Sequence, residues 1–185
     1  MATRLRRRIY HQSHPYAEGN DDQGMREAAR LGMWIDRDLQ MSSDGIFIGT
    51  HWAYPKREGF TLAGRRVALP FRRITFARIA RLRTKNGRRI KSAGAAISLG
   101  RDLGVPGIEF ELKFVPTQRM LNRLARAAKR NWGPDWQRHV QIKMLAGFNW
   151  RVGLARASRA GFTTTLINFD GKPSALPHFV DHYRR

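Results

Sequence analysis

Two segments of the chain alternate apolar with charged residues, and this alternation constrains the fold more than any other feature of the sequence. Residues 35–39 read IDRDL and residues 108–113 read IEFELK. Successive side chains of a β-strand point to opposite faces, so the two aspartates share one face, as do the two glutamates and the lysine. In the first segment Ile35, Arg37 and Leu39 take the other face. In the second, the apolar residues between the charged ones must pack against another layer, which leaves the charged groups facing an enclosed space. Buried carboxylates are costly unless they hold a cation, so this pattern predicts a functional site.

Two histidines accompany these carboxylates. His11 precedes the first charged segment, and His51 follows it after the turn-forming pair Asp44 and Gly45. Histidine suits proton transfer near neutral pH, and carboxylate oxygens suit hard divalent cations. Histidines, carboxylates and a lysine that converge on one space are typical of metal-assisted cleavage of a phosphate ester.

The order of these motifs resembles that of the glycerophosphodiester phosphodiesterase family. That family reads H-R-G, P-E-N-T, E-x-D, D-G and H-D in sequence, with E-x-K on a later strand. The corresponding positions here are His11, Glu18, Asp36 to Asp38, Asp44 with Gly45, His51, and Glu111 to Lys113. The resemblance covers residues 8–114 well and residues 115–170 in outline.

The resemblance implies a metal-dependent hydrolase that converts a phosphodiester, most simply a glycerophosphodiester, to an alcohol and a phosphomonoester. The implied cofactor is Mg²⁺ or Ca²⁺. The sequence does not show which of the two histidines is the general acid and which is the general base. The implied metal ligands are Asp36, Asp38 and Glu111, and the implied acid–base residues are His11 and His51. Lys113 is implied to bind the phosphate, and Glu18 is implied as an additional acidic contact. Glu109 is expected only to contact a neighbouring strand or water.

Three departures from the family pattern favour an alternative function. Gln12 stands where the family has a phosphate-binding arginine, Asp36 replaces a longer glutamate, and Trp52 replaces an aspartate after the second histidine. The alternative is a weakly active or inactive relative that acts as a basic binding or structural protein for nucleic acid or an assembly.

The charge of the chain bears on this alternative. Its formal net charge is +21, from 35 Lys and Arg against 14 Asp and Glu, and no acidic residue occurs between Gly59 and Arg101. Residues 65–101 therefore either attract a polyanion or form a solvated face in a protein from an arginine-rich proteome. No recognisable nucleic-acid motif accompanies the charge, and both explanations stay open.

Alternating strand and helix patterns predict a single α/β domain over residues 1–185. Strands are expected at 7–10, 33–39, 46–50, 107–114, 140–145 and 162–169, and helices near 22–31, 75–83, 94–103, 117–130 and 150–160. The resemblance implies a TIM-barrel-like (β/α) fold that is incomplete, with about six strands in a motif-bearing core at 7–170. We expect the open edge to be covered by the tail at 171–185, by another copy or by a partner.

Other features of the composition exclude whole classes of site. The chain has no cysteine, which excludes disulfides, zinc–thiolate sites and a thiol nucleophile. The basic N-terminus lacks the apolar segment of a signal peptide, and no apolar run reaches the roughly 18 residues of a membrane span. A cytoplasmic location is the default expectation, although the compartment is not otherwise indicated.

Overall fold

A computed structural model describes residues 9–11, 22–145 and 149–167 of the chain. The strands are β1 (Ile9–His11), β2 (Trp34–Met41), β3 (Phe47–Gly49), β4 (Thr61–Leu62), β5 (Arg65–Arg66), β6 (Ile108–Leu112), β7 (Val140–Leu145) and β8 (Thr163–Ile167). The α-helices are α1 (Asp22–Arg30), α2 (Phe76–Ile79), α3 (Ala93–Asp102), α4 (Gln118–Trp132) and α5 (Trp150–Arg159). Short 3₁₀ helices cover Pro55–Glu58, Phe71–Arg73 and Gly133–Arg138.

The central sheet has six strands, five of them parallel in the order β1-β2-β6-β7-β8. The sixth, β3, is antiparallel to β2, because the chain reverses within a short turn after Met41 and so cannot make a parallel crossover. The strand expected at 46–50 is therefore correctly located but is not one of the parallel strands. Within the described ranges β1 and β8 end the sheet without pairing to each other, so the barrel is not closed.

The two faces of the parallel sheet differ in chemistry, as the alternation predicts. One face carries apolar residues such as Ile35, Phe110 and Ile142, which are fully buried in a core shared with the surrounding helices. Complete burial of each such side chain contributes roughly 1.5–3 kcal/mol. The opposite face carries the acidic residues of β2 and β6 and Lys143 of β7, whereas Arg37 of β2 lies on the apolar side.

Local sequence signals account for the ends of the longer helices. The hydroxyl of Thr117 accepts a hydrogen bond from the Met120 N–H at the start of α4, and Ser92 does the same for Ala95 in α3. Gly133, with a positive φ of 70°, follows the last turn of α4. In the part of the chain that the structure describes, none of the helices is long and apolar enough to cross a membrane.

Residues 50–92 form an insertion between β3 and α3, which we call the basic unit. The unit packs around a second hydrophobic core, whose buried members are Ile48, Phe60, Val67, Phe71, Ile74, Ile79, Leu82 and Ile90. It also contains the β4–β5 hairpin, whose turn places Ala63 and Gly64 at positive φ. The predicted helix at 75–83 is only four residues long, because Arg83 leaves it to exchange backbone hydrogen bonds with Thr61.

A buried arginine joins β2 to its neighbours on the apolar side of the sheet. The guanidinium of Arg37 is almost completely buried, and its Nη1 donates to the sulfur of Met25 in α1 at 3.7 Å. A Cβ atom at Gly49 of β3 would lie 2.7 Å from Nε of Arg37, which is closer than real Cβ contacts allow. Gly49 is therefore required by this guanidinium rather than by its backbone conformation.

Candidate active site

Four carboxylates and two lysines meet on the polar face of β2, β6 and β7, and we call them the carboxylate–lysine cluster. Its members are Asp36, Asp38, Glu109, Glu111, Lys113 and Lys143. Parallel pairing places Asp38, Glu111 and Lys143 at one level of the sheet. The charged segments of the sequence therefore converge as predicted.

Lys143 lies at the centre of this cluster, and its side chain is only 4% exposed. Its Nζ is 3.0 Å from Oε2 of Glu111 and 3.9 Å from Oε2 of Glu109, and it donates a hydrogen bond to Asp36. Burial lowers the pKa of Lys143, but the charges of Asp36 and Glu111 outweigh it and the net pKa is raised. Lys143 is therefore an ammonium at neutral pH.

Lys113, just beyond the end of β6, bridges two of the same carboxylates nearer the rim. Its Nζ lies 2.9 Å from Oδ1 of Asp38 and donates a hydrogen bond to Glu111. Burial lowers the pKa of Lys113, whereas the charge of Asp38 and the hydrogen bond to Glu111 raise it, with a net upward shift. The lysine predicted to bind phosphate is thus charged and held by the predicted metal ligands.

His51 completes the arrangement from the loop that follows β3. Its Nδ1 lies 2.9 Å from Oδ2 of Asp38, and its ring packs edge-on against Trp52 at 4.8 Å between centroids. With Asp38 ionised, this hydrogen bond places the proton on Nδ1, so Nε2 carries the lone pair that can accept a proton. The side chain is 28% exposed, which leaves the ring accessible to a substrate.

Glu58 fixes the loop that carries His51, and sequence reasoning did not identify it. Its Oε1 accepts hydrogen bonds from the Trp52 N–H at 2.9 Å and from the Thr50 hydroxyl. Arg88 lies 3.8 Å from its second oxygen. Because residues 50 and 52 flank the histidine, Glu58 positions the His51 loop through these two neighbours.

The remaining predicted site residues are only partly described by the structure. The backbone of His11 lies opposite Asp36 in the β1–β2 pairing, which places it beside the cluster. The His11 side chain and the whole of Glu18 lie outside the described residues, as does the tail at 171–185. Their roles stay predictions, and so do the single-domain assignment and the covering of the open sheet edge.

Lys143 was missed by sequence reasoning, although a signal for it exists. Residues 140–145 read VQIKML, with Gln141 and Lys143 alternating with buried apolar residues. Oε2 of Glu109 lies 3.9 Å from Nζ of Lys143 on the neighbouring strand, and the expectation that Glu109 has no further role stays a prediction.

The Asp44–Gly45 motif has a structural role in the described residues. The Asp44 carboxylate accepts a hydrogen bond from the Phe76 N–H, which ties the β2–β3 turn to the basic unit. A hydrogen bond from Ser42, with that from Phe76, lowers the pKa of Asp44. Gly45 adopts a positive φ of 72° in the turn.

The donor set of the cluster fits a hard divalent cation by its chemistry, because carboxylate oxygens are the ligands that Mg²⁺ and Ca²⁺ prefer. Within residues 22–145 and 149–166, however, no group of three or more acidic or histidine side chains surrounds a common point that could hold a metal. The ammonium groups of Lys113 and Lys143 lie among the predicted ligands instead. The metal site therefore stays a prediction.

Comparison with known proteins identifies relatives by structure alone. No protein-family model matches the sequence, and no curated protein matches it. A Galdieria sulphuraria protein assigned as a glycerophosphodiester phosphodiesterase superposes with a TM-score of 0.68 at 16% identity, over 92% of this chain and 68% of its own. A Silicibacter pomeroyi protein assigned as a glycerophosphoryl diester phosphodiesterase gives 0.62 at 18% identity, over 86% and 63%.

A third solved structure contains a reaction product. It is an Oleispira antarctica phosphodiesterase in complex with sn-glycerol-3-phosphate, with a TM-score of 0.56 at 18% identity over 88% of this chain and 64% of its own. The chain thus spans less than two thirds of the Silicibacter and Oleispira proteins. The chain has the TIM-barrel-like fold of the glycerophosphodiester phosphodiesterases, in an open form, and so the resemblance seen in its motifs is confirmed at the level of the fold.

Proposed function

We propose that the protein hydrolyses a phosphodiester and that a glycerophosphodiester is its preferred substrate class. The observation that carries this proposal is the pairing of His51 with Asp38 beside Lys113, at the carboxyl ends of β2 and β6. Barrels of this type have their active sites at that end of the strands. The product-bound Oleispira antarctica structure supports the choice of substrate class by analogy of fold.

The residues of the proposed site would have distinct parts in this reaction. Asp38 orients the His51 ring so that Nε2 accepts a proton from the attacking water or returns one to the leaving alcohol. Lys113 attracts a non-bridging phosphate oxygen as a point charge. His11 would supply the second acid–base group, since its backbone lies beside Asp36. Asp36, Asp38 and Glu111 would hold the divalent cation, which when bound neutralises charge on the phosphate.

The test is hydrolysis of glycerophosphocholine by the purified protein. We expect turnover in Mg²⁺ or Ca²⁺ and loss of turnover in excess chelator, because the carboxylate-rich cluster disfavours an anionic substrate until a cation is bound. Release of glycerol 3-phosphate is measured with a coupled assay. A folded protein without turnover in either metal would refute the proposal.

The surface of the basic unit favours a second candidate function, the binding of nucleic acid. From residue 65 onward its exposed cations are Arg65, Arg66, Arg72, Arg73, Arg78, Arg81, Lys85 and Arg89. No acidic residue lies between Gly59 and Arg101 to neutralise them. The second hydrophobic core holds the segment in a defined shape, so the cations are presented together by a folded unit.

Salt dependence tests this second function. If about six phosphates are neutralised, the affinity for a 20-base-pair duplex should fall about 10³-fold between 50 and 200 mM salt. Fluorescence anisotropy with the double variant Arg72→Ala/Arg73→Ala should then show a reduced salt slope. The matched control Lys129→Ala/Arg130→Ala removes two exposed cations from α4 and should leave the slope unchanged. Equal slopes in both variants would exclude the basic unit as the binding surface.

A further inference from the structure

We propose that Lys143 competes with the divalent cation for Asp36 and Glu111, and that this competition makes the site bind Mg²⁺ and Ca²⁺ weakly. The inference rests on the proposed function, because these two carboxylates are among the metal ligands proposed there. It adds a specific determinant of metal affinity on a strand that carries none of the proposed metal ligands.

The first support is the position of the ammonium group. Lys143 Nζ contacts Asp36 on β2 and lies 3.0 Å from Glu111 on β6, although the lysine itself belongs to β7. The side chains of Lys143 and Asp36 therefore meet across β6, the strand that lies between β7 and β2, and the long lysine side chain makes this contact possible. The group thus contacts two of the three proposed ligands.

The second support is the burial of the lysine. With a side chain that is 4% exposed, Lys143 cannot turn its ammonium into solvent without a rearrangement of the site. Lys113 is different, because it lies nearer the rim with 18% of its side chain exposed. A cation that enters the cluster must therefore displace the Lys143 ammonium from the carboxylates or bind beside it.

Displacement of the ammonium and binding beside it both make metal binding electrostatically less favourable. Displacement breaks ion pairs that already satisfy the carboxylates, and binding beside the ammonium places two cations a few ångströms apart in a partly desolvated site. The repulsion between such charges is large at the effective dielectric constant of a protein interior. Removing the charge at position 143 should therefore strengthen metal binding.

Calorimetric titration of the metal-free protein with CaCl₂ and MgCl₂ tests this inference. Lys143→Gln should bind Ca²⁺ at least tenfold more tightly than the unsubstituted protein, because a neutral amide frees Asp36 from the Lys143 ammonium and leaves Glu111 in contact with Lys113 alone of the two lysines. Lys143→Arg retains the positive charge and should bind as weakly as the unsubstituted protein. Lys129→Gln removes an exposed lysine from α4 and controls for the change in net charge.

Equal Ca²⁺ affinities in Lys143→Gln and the unsubstituted protein would overturn the inference. If Lys143→Gln is unfolded in chelator, circular dichroism in 10 mM CaCl₂ decides the matter: recovery of the fold supports competition for the same oxygens, and failure to recover refutes it. The readout is binding or folding rather than turnover. Absence of hydrolysis would therefore count against the proposed function and leave this comparison intact.

Discussion

Replacing His51 with glutamine should lower kcat for glycerophosphocholine by about 10²–10⁴-fold, the usual contribution of a positioned acid–base group. Glutamine keeps a polar side chain of similar size but cannot exchange a proton at neutral pH. The KM should change little, because the ring is held by Asp38 and Trp52 at the edge of the cluster and does not supply a phosphate-binding charge. Steady-state kinetics at saturating metal measure both constants.

His139→Gln is the matched control for this experiment. The Nδ1–H of His139 donates a hydrogen bond to the carbonyl oxygen of Pro106, 2.8 Å away, and the His139 ring stacks on Trp132. His139 precedes β7 and so lies at the opposite end of that strand from the proposed site. The kcat of His139→Gln should therefore remain within about twofold of the value for the unsubstituted protein. A His51→Gln variant with undiminished kcat would exclude His51 from the chemistry.

Glu111→Gln should destabilise the protein by about 2–3 kcal/mol at pH 7, because it removes a carboxylate that both lysines contact. Breaking a buried ion pair typically costs about 3–5 kcal/mol, and the lower figure reflects the carboxylates that Lys113 and Lys143 retain. Urea unfolding in chelator gives the free energy of unfolding without a contribution from bound metal.

The pH dependence gives this second prediction a distinct signature. Because the pKa of Lys143 is raised above its ordinary value of 10.5, its ion pairs stabilise the protein fully below that pH and lose their effect as the pH rises through the folded-state pKa. The deficit of Glu111→Gln should therefore shrink in strong alkali. Asp102→Asn, at an exposed pair with Arg101, should cost less than about 1 kcal/mol. A Glu111→Gln variant that is more stable than its parent would show that carboxylate repulsion dominates the cluster.

The alternation of charged and apolar residues predicted the central features of this fold. Period-two patterns located β2 and β6 and assigned Asp36, Asp38, Glu109 and Glu111 to a common polar face, because the strand period fixes which side chains share a face. Helix α4 was also located closely, since Thr117 is a strong cap and the apolar residues that follow it have helical spacing.

Features that depend on contacts between distant segments were not predicted. Lys143 was overlooked because a lysine in a strand is ordinarily at the surface, and only the register with β6 reveals the carboxylates that surround it. Glu58 acts on the His51 loop through backbone and hydroxyl contacts that leave no spacing signal. The reversal at β3 was mistaken for a further parallel unit because its length of three residues carries little periodicity.

The contact between Gly49 and Arg37 has a consequence for how this sequence can change. Any larger residue at position 49 would require the guanidinium at position 37 to move, and that guanidinium is enclosed by β3 and α1. Tolerated substitutions at the two positions should therefore occur in pairs, with a side chain gained at 49 only where a smaller one replaces arginine at 37. Co-variation of positions 37 and 49 among homologous sequences would show how the packing contact between β2 and β3 has changed, independently of the residues that face the proposed substrate.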